Sequence, residues 1–190
     1  MNKIDYAIAG LVVVTALMLG ALILYFQNDN ADDDSNGYTL FDQTSAFSVE
    51  YPEAWVADII QANHLVSGPP ETVRQNVPGP SFSVLSRIAG LGDDIMQGYI
   101  DSRLFRDGSA QEWELVTDVT DIIIDDTHPA QMVEVVGTIN PDAPELHTRH
   151  ILTRADNNVV YVFVISAPVD EWDNYIETFD YMIDSLVILE

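Results

Sequence analysis

FSVEYPEAW, Phe47 to Trp55, alternates apolar and polar residues, meets a proline and ends on a tryptophan. In a strand, Phe47, Val49 and Tyr51 share one face, with Ser48 and Glu50 on the other. Pro52 has no N–H to give a ladder, so pairing ends there, and Trp55 opens the next extended stretch, WVADII (Trp55 to Ile60). A side chain of that size is expected beneath a helix, filling volume at the edge of the sheet. On the N-terminal side YTLF (38–41) pairs with AFSVEY (46–51) across Asp42-Gln43-Thr44-Ser45, a hairpin turn.

Further along, SGPPETVRQNVPGPS (67–81) holds four prolines and two glycines and reads as a long loop without a regular element. FSVLSRIA (82–89) resumes strand character, Gly90 to Gly92 breaks it, and Asp93 caps a helix that runs to about Phe105. Four strands follow, at 113–124, 130–139, 145–154 and 158–166. VVYVFVI (159–165) is apolar at every position, as a central strand covered on both faces must be. Trp172, Tyr175, Ile176, Phe179, Met182, Ile183 and Leu186 then fall on one helical stripe, with Asp170 as its N-cap. The order β-β-β-β-α-β-β-β-β-α predicts an α+β domain with a largely antiparallel sheet and helices on its faces.

The N-terminus is of another kind. Ala7 to Phe26 is 20 residues without a charge, and at 1.5 Å rise per residue such a helix spans roughly 30 Å, the thickness of a bilayer core. It is too long for a secretory signal core and lacks a small-residue cleavage site, so an uncleaved anchor is expected. Lys3 precedes it, which places residues 1–6 in the cytoplasm and the rest outside, in a single-pass plasma-membrane protein. Residues 27–37, QNDNADDDSNG, form an acidic flexible linker, and 38–190 is the extracytoplasmic domain. With 31 Asp and Glu against 7 Lys and Arg, the net charge is −24. That balance excludes nucleic acid as a partner and makes membrane attachment a matter of the helix alone.

Tyr38-Thr39-Leu40-Phe41, Phe47 to Pro52 and Trp55 resemble the opening of PsbP-like domains. His128-Pro129-Ala130, Val160 to Phe163, Ser166-Ala167-Pro168 and Phe179 to Leu186 continue the match, so it covers roughly Tyr38 to Glu190. The resemblance implies an α-β-α sandwich around an antiparallel sheet and an accessory, binding role. Family members include an extrinsic photosystem II subunit, a Ran-binding import factor and membrane-attached envelope proteins. The anchored envelope members are the nearer analogy, since this chain keeps an apolar N-terminal helix and is strongly acidic.

The chemistry-bearing residues point the same way. Cysteine is absent, and neither G-x-S-x-G, GxxxxGK[ST] nor GxGxxG occurs. His147 and His150 are three apart in a strand and point to opposite faces, so they share no zinc. His64 and His128 stand alone, and Asp125-Asp126 and Asp93-Asp94 sit where turns and helix starts favour aspartate. No catalytic, cofactor or metal site is expected. The candidates for partner contact are Arg74, in the proline-rich loop, and Arg103 and Arg106, at the end of the first helix. The expected function is that of a membrane-anchored accessory domain that binds or stabilises a membrane-associated protein assembly. The alternative is an envelope protein for a small ligand or lipid, which a cavity of several hundred Å³ between sheet and helix would favour.

Overall fold

The computed structural model describes residues 37–43, 46–61, 64–75, 77–86, 91–105, 112–139 and 142–189. The expected spanning helix at 7–26 and the linker as far as Asn36 lie outside the described residues, as does Arg106. Among the described residues no helix is long and apolar enough to cross a membrane.

The chain runs β1 (Tyr38–Gln43), β2 (Phe47–Pro52), β3 (Val56–Gln61), β4 (His64–Gly68), α1 (Pro70–Gln75) and β5 (Ser81–Ser86). Next come α2 (Ile95–Tyr99), prolonged by a π-helical turn over Ile100–Leu104, then β6 (Glu112–Leu115), β7 (Thr120–Ile124) and β8 (His128–Thr138). The order closes with β9 (Leu146–Arg154), β10 (Val160–Pro168), α3 (Trp172–Asp184) and β11 (Val187–Ile188). Eight strands form one sheet in the order β3-β4-β5-β10-β9-β8-β6, with β7 also paired to β8, and β1-β2-β11 form a second. All these pairings are antiparallel.

β10 is apolar on both faces because both are covered. Tyr161, Phe163 and Ile165 join a core with Trp172, Phe179 and Met182 of α3 and Phe47 and Val49 of β2. Val160 and Val162 join a second core with Met96 and Tyr99 of α2, Ile100 and Leu104 of the π turn, and Val133 and Val135 of β8. The alternation at 47–51 is therefore real, but its strand belongs to the small sheet and not to the start of the large one. C-terminal residues complete that small sheet, since β11 pairs with β2 at Val187↔Ser48 and Ile188↔Phe47. No local pattern at 47–51 announces a partner so distant in sequence. On the outer side of β2, Glu50 accepts from the Tyr181 hydroxyl, and its N–H donates to Ser185 Oγ at 3.0 Å, which ties the strand to α3.

Several elements depart from expectation. The proline-rich stretch holds α1 and ends in β5. Pro70 stands at the first helical position, where its missing N–H costs nothing and its fixed φ suits the helix, and Val73 N–H closes the turn on Pro69 O at 3.1 Å. β4, only five residues long, carried too short an alternation to stand out. The strand expected at 113–124 is two strands, both lying on β8. Between them Val116 and Thr117 N–H both turn onto Glu134 O, at 2.9 and 3.4 Å, while Thr117 Oγ accepts Glu134 N–H at 3.0 Å. Asp94, not Asp93, caps α2, accepting Gln97 N–H at 2.9 Å. Glu171, not Asp170, is the N-cap of α3, since its C=O accepts the first bond of the helix, from Asn174 N–H at 2.9 Å.

Trp55 sits in the turn before β3, its N–H on Pro52 O at 2.8 Å. The residue is 8% exposed, and its ring lies 6.3 Å from that of Tyr175 and 6.2 Å from that of Phe179, beneath α3 as expected. Trp55→Ala should lower unfolding free energy by about 3–5 kcal/mol, read from urea denaturation of the 37–190 domain. A loss near zero would place the indole outside the core.

Candidate functional site

Beyond the N-terminus of α2 a groove of about 640 Å³ opens on the large sheet among the described residues. Strand parity builds it. In β7, Ile122 and Ile124 face the α3-side core, so Asp121 and Ile123 stand on the α2 side. Opposite them on β8 are Gln131 and Pro129, and β9 adds Leu152 and Arg154. Asp93 and Ile95 close the side next to α2. Asp121 Oδ1 accepts from Gln131 Nε2 at 3.3 Å. Arg154 donates to Gly92 O at 3.0 Å and to Asn158 Oδ1 at 2.9 Å, which pins the approach to α2 against the β9–β10 turn. Ile123 is 68% exposed, and Leu115, Val116 and Val119 are exposed along the same margin of the sheet. The groove has an apolar floor with Ile95 and Leu152, and Asp93, Asp121 and Arg154 are exposed on its rim.

Polar clusters lie elsewhere, on both faces of β9. His147 and His150 do point apart. His150 is buried under α2 between the Tyr99 hydroxyl (3.0 Å to Nδ1) and Thr148 Oγ1 (2.9 Å to Nε2). Thr148 Oγ1 also reaches Val135 O at 3.5 Å. Those partners suit one tautomer, with Nδ1 accepting from Tyr99 and Nε2–H donating to Thr148. Burial holds the His150 pKa down at about 4 and pushes that of Tyr99 up to about 12, so both are neutral near pH 7. On the opposite face His147 stacks on Trp172, with centroids 3.9 Å apart, and bonds Glu134 at 3.0 Å. Arg149 bridges Glu134 (2.8 Å) and Asp180 (2.6 Å). Burial alone would lower the Arg149 pKa, and the two carboxylates reverse that and raise it. This network fastens α3 to the sheet.

Asp125 and Asp126 make the β7–β8 turn, with φ of 48° and 63°, values that Asp tolerates and that suit a tight hairpin. Asp125 accepts from Ile188 N–H (2.9 Å), Thr127 Oγ1 (2.7 Å) and His128 Nδ1 (2.8 Å). Burial works against its ionisation, but these donors outweigh burial and bring its pKa down to about 2. The carboxylate thus joins the large sheet to β11 of the small one.

Arg74 lies exposed in the last turn of α1, and Arg103 lies exposed in the π turn after α2. Neither lines the groove. The groove residues Ile123, Leu152 and Arg154 were not singled out by the sequence. The one available signal was Ile122-Ile123-Ile124, an unbroken apolar run where an edge strand would alternate.

No protein-family model matches the chain, and neither does any curated protein. Solved structures do. A solution structure of cyanobacterial PsbP from Synechocystis is similar at 15% identity and TM-score 0.59, over 85% of this chain and 98% of that one. The Ran-binding protein Mog1p of Saccharomyces cerevisiae is similar at 11% identity and TM-score 0.55, over 80% and 96%. LpqN of Mycobacterium tuberculosis, involved in cell envelope biogenesis, is similar at 10% identity and TM-score 0.55, over 82% and 93%. The described domain has the PsbP-like fold that its sequence resembles.

His150 makes stability sensitive to acid. Below its ordinary value of 6.5 an unfolded His150 takes up a proton that the folded one refuses until about pH 4. Its contribution is therefore complete above pH 6.5 and is lost as pH falls toward 4. Between pH 7 and pH 4.5 urea denaturation should show a loss of about 2–3 kcal/mol that His150→Asn largely abolishes. An equally steep pH dependence in the variant would assign the effect to other groups.

Proposed function

We propose that the chain is a membrane-anchored, extracytoplasmic accessory domain that binds and stabilises a membrane-associated protein assembly, without catalysis of its own. The observation that carries this reading is the exposed apolar strip Leu115, Val116, Val119 and Ile123, beside an open groove, on a chain of net charge −24. Apolar surface gathered on so polar a molecule marks a contact face. Attachment rests on the uncharged run Ala7 to Phe26, and its orientation on Lys3 before it. The fold adds support, because two of the similar proteins are described by a partner (Ran) and by an envelope role.

The groove's volume of about 640 Å³ favours the second reading, a small ligand or lipid, since such sites span roughly 300–1,000 Å³. Yet Asp93, Asp121, Ile123, Pro129 and Arg154 of its lining are exposed. That openness suits a segment of a larger partner better than a molecule that must be enclosed.

The full chain, expressed in its host, should stay with membranes through an alkaline wash, and protease added from outside should digest residues 38–190. Removing residues 1–36 should release the domain. Solubilised in mild detergent, the full chain should migrate on native gels well above its own 21.1 kDa and its detergent. A chain that migrates alone and carries a small molecule by native mass spectrometry would instead establish the ligand-binding reading.

A further inference from the structure

Among the described residues β7 pairs with β8 on one side only, so its outer edge is an open row of backbone donors and acceptors. Open edges are usually blunted by lysine, proline or a bulge. The far edge of the same sheet follows that rule. β3 exposes Ile59 and Ile60 but breaks its register between Ile59 and Gln61, a bulge that twists the edge away. β7 has an unbroken register over Thr120 to Ile124 and contains neither lysine nor proline. Its guards are carboxylates alone, Asp118 just before it and Asp121 within it, both exposed.

Carboxylate guards are selective. A second copy of this chain also carries −24 and would be repelled at close approach. A strand bearing lysine or arginine would be drawn in, and an edge strand beside a groove is the geometry of recognition by strand addition. Resting on the partner-binding reading above, we propose that β7 takes an extended, basic segment of a partner protein as an added strand. The segment's alternate side chains stand beside Asp121 and Ile123, about 4.8 Å from β7. An apolar one reaches over Ile123 toward Ile95 and Leu152, and cationic neighbours meet Asp93, Asp118 and Asp121.

The test uses the full chain in native membranes, with benzoylphenylalanine placed at Ile123 or, as a control, at the exposed Glu177 of α3. After illumination the crosslinked peptides are sequenced by mass spectrometry. Ile123 adducts should carry partner segments of net positive charge with alternating apolar residues. In an Asp118→Lys/Asp121→Lys background with an unchanged circular dichroism spectrum, their yield should fall at least tenfold, and high salt should act in the same direction. Adducts from Glu177 but none from Ile123 would leave the partner reading standing and remove this edge as its site. Protein adducts from neither position would remove both. Ile123 adducts to acidic segments, to lipid or to a second copy of this chain would overturn the inference directly, as would a yield indifferent to the two lysines.

Discussion

The structure depends on one demand, that a strand with no polar face be kept from water on both sides. Val160 to Ile165 can satisfy it only in the middle of a sheet with a layer above and another below. Each layer is then recruited from a different part of the chain. On one side lie α2 and its π turn, with Met96, Tyr99, Ile100 and Leu104 over Val160 and Val162. On the other lie Trp172, Phe179 and Met182 of α3, with Phe47 and Val49 beside them. At roughly 1.5–3 kcal/mol for each large apolar side chain buried, these two contacts outweigh any polar interaction in the molecule.

The polar groups then decide how the layers are held in place. Each face of β9 carries one histidine at its layer's contact, His150 beneath Tyr99 and His147 against Trp172. A buried imidazole without partners would cost free energy, and here both ring nitrogens of His150 are bonded, so it specifies the seating of α2. Arg149, held between Glu134 and Asp180, does the same for α3. Asp125 links the turn of one sheet to the last strand of the other. Gly137 allows β6 to lie close on β8, since a Cβ there would sit 1.9 Å from Glu112 O.

Wherever a pattern was long and its cause local, the sequence made the element legible. The helical stripe from Trp172 to Ile183, the doubly apolar strand and the divergence of His147 and His150 all rest on periodicity over a few turns or a single strand, while Leu186, expected on that stripe, lies past the end of α3. The two sheets were not legible, because β11 is two residues long and its partner lies some 140 positions earlier. α1 was hidden by its own prolines, which read as breakers although Pro70 occupies the one helical position where proline is favoured. The groove was hidden for a different reason. Asp93, Asp121, Gln131 and Arg154 come together only through strand order, and none is unusual in its own segment.

The acidity and the open edge explain one another. A regular edge strand with an exposed isoleucine is a hazard, since it can template pairing with any extended chain. Burying Ile123 under a loop or replacing it with lysine would end the hazard and also the capacity to bind. A net charge of −24 is a third solution, because it raises the cost of approach for every acidic chain, including further copies of this one, while leaving the edge unobstructed. Charge of this kind acts over about 8–10 Å at ordinary ionic strength, far enough to sort encounters before any hydrogen bond forms. It also fades in salt, so at high ionic strength the same edge loses both its protection and its preference for cations. A surface so arranged selects by the sign of charge first and by strand geometry second, and Asp118 and Asp121 lie where the two selections meet.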